Sequence, residues 1–236
     1  MFQYSPAWPH SNIKQIFPDI FYVTGTNITQ HEGITLQHSR NMIIIRNNDK
    51  LSLINTVRLT EEGLLKLSAL GKIENVIRIG SFHGRDDIFY LEEYNAKLWA
   101  LPNMEHADSR KADYNLLTEG LMPFANCNVV TFNSSRFPEA VLHINQNDGI
   151  LITCDSIKNW IARDEFFSDS TAELYKAQKL FGHAAINKIW LQATQIDKSE
   201  LLVLEKLKFR HLLSAHGEPL LNDAYDYVIK TLSNFR

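Results

Sequence analysis

Residues 40–100 constrain the fold most, because they read strand, strand, helix, strand, helix, strand. Met42-Ile43-Ile44-Ile45-Arg46 and Leu51-Ser52-Leu53-Ile54-Asn55 are apolar, β-branched runs on either side of the polar turn Asn47-Asn48-Asp49-Lys50. That is the pattern of a β-hairpin, and the near-continuous apolar first run predicts burial on both faces. Thr60-Glu61-Glu62 opens a helix: Thr60 can cap it, and the two acids suit the positive end of its dipole. Leu64, Leu67 and Leu70 share one face, and Gly71 stops the helix. Val76–Ile79 is a short buried strand, Ile88–Tyr94 a helix and Ala96–Ala100 a strand. A hairpin joined to strand–helix–strand units argues for layered mixed sheets with helices outside, not one all-parallel doubly wound sheet.

The second half repeats the mixture. Asn128–Phe132 reads as a strand, and Glu139–Ile144 and Ile150–Thr153 as a hairpin turning through Asn145–Gly149. Helical stretches cover Asp169–Phe181, Lys198–Leu207 and Asp223–Phe235, with a strand at Leu212–Ser214. Near the start, Ile20–Val23 reads as a strand ended by Gly25, and residues 1–18 as an irregular, aromatic-rich strap. No internal repeat or linker divides the chain, so 1–236 is read as a single α/β domain.

Composition excludes several classes of partner. A net charge of -3 shows no basic excess, so a nucleic-acid partner is not expected. No apolar run approaches the roughly 18–20 residues that span a bilayer, and the start has no basic cluster before an apolar segment. Only Cys127 and Cys154 are present, which is no disulfide framework, and a cytoplasmic location is expected.

Three strand ends carry side chains able to hold a metal. His83, Asp86 and Asp87 follow Val76–Ile79, Asp155 follows Ile150–Thr153, and His216 follows Leu212–Ser214. Imidazoles and carboxylates at rigid strand ends suit a site facing a cleft. Each also has an ordinary role. Asp86 or Asp87 can cap the helix at Ile88, Asp155 can cap at Ser156-Ile157, and a lone histidine is more often a hydrogen-bonded residue than a ligand. Cys154 reads as a small buried residue rather than a nucleophile. Counting back from a turn near Asn147 sets His143 opposite Leu151 and Glu139 opposite Asp155. Glu139 is therefore near the strand-end cluster, and a salt bridge to Arg136 or Arg85 is its expected role.

The order of these segments resembles the metallo-β-lactamase superfamily, from about residue 20 to 220. "NVIRIGSFHGRDDIFYLEEYNAKLWA" (Asn75 to Ala100) resembles its first half, in which a strand ends in H-x-H-x-D-H before a helix and a strand. "DGILITCDSI" (Asp148 to Ile157) resembles the G-x-L-F-T-G-D segment, and "LLSAHGEPL" (Leu212 to Leu220) the last G-H-G-x-P element. The resemblance implies a four-layer αββα sandwich of two mixed sheets. It is strongest to a hydrolase-like branch whose first motif is degenerate.

Carried over without a gap, the first motif falls on Phe82 to Asp87. Asp86 keeps the aspartate that holds a metal and orients the attacking water, and so is the implied catalytic residue. Asp87 stands at the final histidine, and Phe82 and Gly84 at the first two; a one-residue shift would make His83 a ligand. The middle histidine would lie near Ser135-Arg136-Phe137 and has no counterpart. Asp155 and His216 match the bridging aspartate and the last histidine. The resemblance thus implies metal ligands among His83, Asp86, Asp87, Asp155 and His216. It implies at most one divalent ion (zinc, iron or manganese), with hard oxygen donors favouring iron or manganese. If no ion binds, Arg85 is placed to balance Asp155 or Glu139.

Two functions follow as expectations. One is a metal-dependent hydrolase that attacks an ester, amide or related bond of a small molecule. The other is a non-catalytic binding protein on an inherited enzyme scaffold, since fold alone does not fix function.

Overall fold

The computed structural model describes residues 4–31 and 33–235. Its larger sheet has seven strands in chain order: β1 (Lys14–Phe17), β2 (Ile20–His31), β3 (Ile34–Asn47), β4 (Lys50–Ile54), β5 (Lys72–Arg78), β6 (Lys97–Ala100) and β7 (Tyr114–Asn115). The first four pair antiparallel, and β4 to β7 pair parallel. The switch follows from the connections. A two-residue turn at Asn48-Asp49, with Asn48 at φ 59°, reverses the chain between β3 and β4. Helix α1 (Glu61–Leu70) carries it back over the sheet from β4 to β5, and α2 (Asp87–Glu93) from β5 to β6.

The second sheet is built on the hairpin of β8 (Cys127–Thr131), β9 (Ala140–Ile144) and β10 (Ile150–Thr153). After a short pair, β11 (Ile157–Lys158) and β12 (Ala185–Ile186), strand β13 (His211–Ser214) returns to lie parallel beside β10. Helices α3 (Asp169–Ala177), α4 (Lys188–Thr194) and α5 (Ala224–Leu232) complete the set with a 3-10 segment at Lys198–Lys206.

Period-two alternation decides how the layers stack. On β9 and β10, Leu142, Ile144, Ile150 and Ile152 join the apolar cluster of the large sheet, which holds Ile43, Leu53 and Ile77. Val141 and Leu151 face the other way, with Leu212 of β13, onto Trp190 of α4, Leu201, Leu204 and Val228 of α5. Leu67 of α1 and Tyr90 of α2 pack on the large-sheet cluster, and α3 lays Ala172 and Tyr175 beside Trp160 and Leu36 of β3. The result is helices, mixed sheet, mixed sheet, helices. Among the described residues no helix is long and apolar enough to cross a membrane.

Local signals were followed closely in places. Thr60 caps α1 by accepting from Gly63 N, and Gly71 ends it. The Asn47-Asn48-Asp49-Lys50 and Asn145–Gly149 turns are where expected. Other expectations need correction. Gly25 does not end β2, which continues to His31 and pairs with β3 throughout. A Cβ at Gly25 would sit 2.6 Å from Val57 Cγ1, so the glycine permits close packing rather than a turn. The strap expected over 1–18 contains β1 and an isolated bridge from His10 to Gly25; its first three residues lie outside those described. Helix α4 was not anticipated, and Lys198–Lys206 is a 3-10 segment rather than an α-helix.

Candidate metal centre

Two parallel neighbours, β10 and β13, pair Thr153 with Ser214, so their ends carry Asp155 and His216 out on the same edge. The large sheet brings His83 from the loop after β5. That loop wraps the guanidinium of Arg78, which donates to Gly80 O and Ser81 O. Gly84 sits at φ 123°, where a Cβ would meet Arg78 at 2.6 Å. Gly80 bridges to Glu139 next to the second sheet, and a Cβ there would lie 2.4 Å from Cys154 Sγ. Only glycine allows that contact without displacing the site.

The three side chains meet. His83 Nε2 lies 3.1 Å from His216 Nε2 and 3.4 Å from Asp155 Oδ2, and His216 Nε2 lies 3.2 Å from Asp155 Oδ1. Donors sharing a tetrahedral ion at about 2.0–2.1 Å are separated by about 3.3 Å, so these spacings suit one ion. Cys154 Sγ belongs to the same group: ligand atoms of His83, Cys154 and Asp155 all lie within 4.8 Å of one another.

Hydrogen bonding fixes the chemistry of His216. Its Nδ1 faces the Ser39 carbonyl at 3.1 Å, and a carbonyl only accepts, so Nδ1 carries the proton. In the neutral ring Nε2 is then a bare lone pair aimed at a carboxylate oxygen. Burial lowers the pKa of His216 and holds that of His83 well below its usual value, against the pull of Asp155, which favours the neutral form of both imidazoles. That lone pair can accept from an Nε2–H of His83 at 3.1 Å, and a metal ion between the three groups can take the place of that proton. Among the described residues the Nδ1 of His83 is buried without a hydrogen-bond partner, so the polar contacts of this ring all run through Nε2.

The surroundings hold this cluster rigid. Trp160 lies 4.5 Å from the His216 ring and donates its Nε1 hydrogen to Ser39 Oγ. Tyr22 Oη and Asn41 Nδ2 both donate to Gly217 O, just past His216. Lys158 Nζ is 3.9 Å from Asp155 Oδ1. His38 donates Nδ1–H to the same Ser39 carbonyl, leaving its Nε2 as an acceptor; burial pulls its pKa down to about 3. A cavity of about 200 Å³ opens over the cluster, lined by Asn27, Thr29, His38, Phe82, Arg85 and Lys158 among others.

No protein-family sequence model matches the chain, and no curated relative matches it. Solved structures do. The DIM-1 metallo-β-lactamase exposed to ceftazidime superposes with a TM-score of 0.61 at 14% identity, covering 97% of this chain and 99% of its own. The mono-zinc form of metallo-β-lactamase FIM-1 from Pseudomonas aeruginosa gives 0.62 at 12%, covering 97% of each. The metallo-β-lactamase from Pontibacter korlensis gives 0.59 at 13%, covering 94% and 99%. The chain has the metallo-β-lactamase fold.

On this metallo-β-lactamase fold, the residues singled out in the sequence divide into two groups. His83, Asp155 and His216 converge. Asp86 and Asp87 do not line the cavity. Asp86 Oδ2 accepts from Arg40 Nη1 at 3.2 Å and from Arg58 N at 3.0 Å, and Asp87 Oδ1 accepts from Thr56 Oγ1 at 2.6 Å. Neither supplies a side-chain cap to α2. The expected charge balance also differs. Arg85 donates to Ile28 O, on β2, and not to Asp155 or Glu139. The buried arginine that neutralises a first-motif carboxylate is Arg40. Glu139 makes no bridge to Arg136 or Arg85; it accepts from Ser156 N at 2.6 Å and Trp190 Nε1 at 2.7 Å. Burial, with Asp155 nearby, pushes its pKa up to about 8. His143 pairs with Leu151, as the turn geometry required, and its Nε2 donates to Lys208 O.

Sequence reasoning missed His38, Arg40 and Lys158, and set Cys154 aside. Lys158 stands three residues after Asp155 and was within reach of the reading. His38 and Arg40 lie on β3, on which no functional signal is written; only the sheet register brings them to the cleft.

Proposed function

We propose that this chain is a metal-dependent hydrolase with a single divalent ion held by His83, Asp155 and His216, and with Cys154 Sγ as an adjacent donor. The observation that carries this is the His216 tautomer, which leaves an unprotonated Nε2 facing Asp155 and His83. Two imidazole nitrogens, a carboxylate and a thiol are softer than the carboxylate-rich set expected from the sequence, and they suit zinc ahead of iron or manganese. A mono-zinc form of FIM-1 supports a one-ion reading on this fold. When bound, such an ion polarises a carbonyl or phosphoryl group and lowers the pKa of a water molecule toward neutrality.

The chain's own residues provide the rest. The cavity accepts the scissile end of a small ester, amide or related substrate. Lys158 and Arg85 give its wall positive charge, and Asn27 and Thr29 offer neutral hydrogen-bonding groups. His38, its Nδ1 proton committed to Ser39, offers Nε2 as a hydrogen-bond acceptor for a substrate N–H or O–H. Asp86 takes no part in orienting water in this reading, because Arg40 and the Arg58 amide hold it.

One observation favours a second reading, a non-catalytic binding protein on the inherited scaffold. The Arg40 guanidinium occupies the place of a positive ion beside Asp86, and so stands in for charge at the first motif. Elemental analysis of protein purified without added metal tests the proposal. We expect close to one equivalent of zinc, lost in Asp155→Ala and His216→Ala. A wild type that contains no metal, and neither binds nor is stabilised by zinc, manganese or iron, rejects it. A metal-loaded chain inactive on a panel of esters and amides favours the second reading.

A further inference from the structure

Next to the candidate centre lies a second cavity of about 450 Å³, larger than the first, which shares Lys158 with it. It is formed where β11 and β12, α4, the Lys198–Lys206 segment and the chain's last helical turns meet. Four lysines, Lys158, Lys179, Lys188 and Lys198, line it, and no carboxylate does. The remaining wall is largely apolar and includes the aromatic rings of Trp160 and Phe235.

We propose that this cavity binds a small organic anion carrying two or more negative charges beside an apolar ring or chain. Charge is the first argument. Among the described residues, Lys158 has Asp155 as its counter-ion, while no ion pair is formed by Lys179, Lys188 or Lys198. Four lysines therefore line one concavity, three of them without an acidic partner, in a chain whose net charge is -3. Like charges around a low-dielectric wall repel one another, and the field they focus attracts an anion. A single charge would satisfy only one of them. The wall is the second argument. Lys158 Nζ lies 4.7 Å over the Trp160 ring and Lys198 Nζ 5.5 Å from the Phe235 ring centre. Both ammonium groups are thus held near aromatic rings that line the cavity, and Leu180, Ile186 and Leu191 add apolar wall for a ring or chain. The volume falls in the range of ordinary small-molecule sites, about 300–1,000 Å³. Asn187 and Asn234 add neutral hydrogen-bonding groups.

The proposal does not depend on the metal reading, and its test is run on protein freed of metal by a chelating resin. Calorimetric titrations use ADP, pyrophosphate, citrate and adenosine at low ionic strength and again at about 0.15 M salt, where the Debye length is about 8 Å. ADP is expected to bind more tightly than pyrophosphate or citrate, adenosine not to bind, and the affinity for ADP to fall with salt. Preference for pyrophosphate over citrate would identify phosphate as the favoured charge; the reverse order would identify carboxylate. The triple variant Lys179→Ala/Lys188→Ala/Lys198→Ala removes exposed side chains and is expected to fold; its ADP affinity should fall at least about tenfold. Arg85→Ala, which removes a positive charge at the other cavity, should bind ADP as the wild type does. The proposal is overturned if adenosine binds as tightly as ADP, if the triple variant binds ADP with unchanged affinity, or if none of the anions binds.

Discussion

Replacing Arg40 with methionine isolates the charge substitution at the first motif. Arg40 and Asp86 are 4% and 6% exposed, with Nη1 and Oδ2 3.2 Å apart. The guanidinium also donates to Thr56 O at 2.7 Å. Methionine keeps much of the volume but leaves Asp86 as a buried carboxylate and Thr56 O short of a donor. Breaking a buried pair from one side costs about 3–5 kcal/mol, and a stranded buried acceptor about 1–3 kcal/mol. The two overlap, and the Arg58 amide still donates to Asp86 Oδ2, so about 3–5 kcal/mol is the expected total. In a chain of this length that lowers Tm by roughly 6–20 °C, taking about 2–4 °C per kcal/mol. Urea unfolding of the wild type, Arg40→Met, Asp86→Asn and the double variant measures the coupling. The double variant should recover about 2 kcal/mol or more of the loss, because the neutral amide no longer needs a counter-charge. A single-variant cost below about 1 kcal/mol, or additive costs in the double variant, would refute the view that Arg40 serves as the local cation.

Other expected outcomes are simpler to read. Zinc at about a hundred times its Kd should stabilise the wild type by about 2.7 kcal/mol in thermal or chemical unfolding, and His216→Ala should gain nothing comparable. Gly80→Ala places a Cβ 2.4 Å from Cys154 Sγ; it should cost about 1–3 kcal/mol in urea unfolding and also weaken zinc binding, which a purely local packing defect would leave intact. Thr60→Ala removes the acceptor for Gly63 N and one of two bonds to His10 Nε2, the Thr60 amide keeping the other, and should cost about 0.5–2 kcal/mol. The pKa of Asp87 is raised by burial, against the attraction of Arg78 and the Thr56 hydrogen bond. The folded state therefore holds this proton more tightly than the unfolded state does. Its contribution to stability is largest below the usual carboxylate pKa and is lost as pH rises through the folded value. Asp87→Asn should flatten that part of the stability–pH curve; an unchanged curve would show that Asp87 is ionised in both states.

What the sequence determined by itself is local. The Asn48-Asp49 turn, the Thr60 cap, the Gly71 stop and the Asn147-Asp148-Gly149 turn each rest on backbone preferences acting over a few residues, and each lies where the residues place it. The order of hairpins and crossovers followed from those signals, and so did the placing of His83, Asp155 and His216 at strand ends. The tertiary structure decided which polar groups meet. Arg40 reaches Asp86 across 46 positions, Glu139 reaches Trp190 across 51, and Ser39 sets the His216 tautomer across 177. A buried charge or lone pair takes whatever partner the sheet register and layer packing bring within about 3 Å, and local propensity carries no record of that partner. For this reason Asp86, which the sequence resemblance set at a metal-binding aspartate, pairs with an arginine, while His83, one position away from the ungapped match, joins the candidate metal centre.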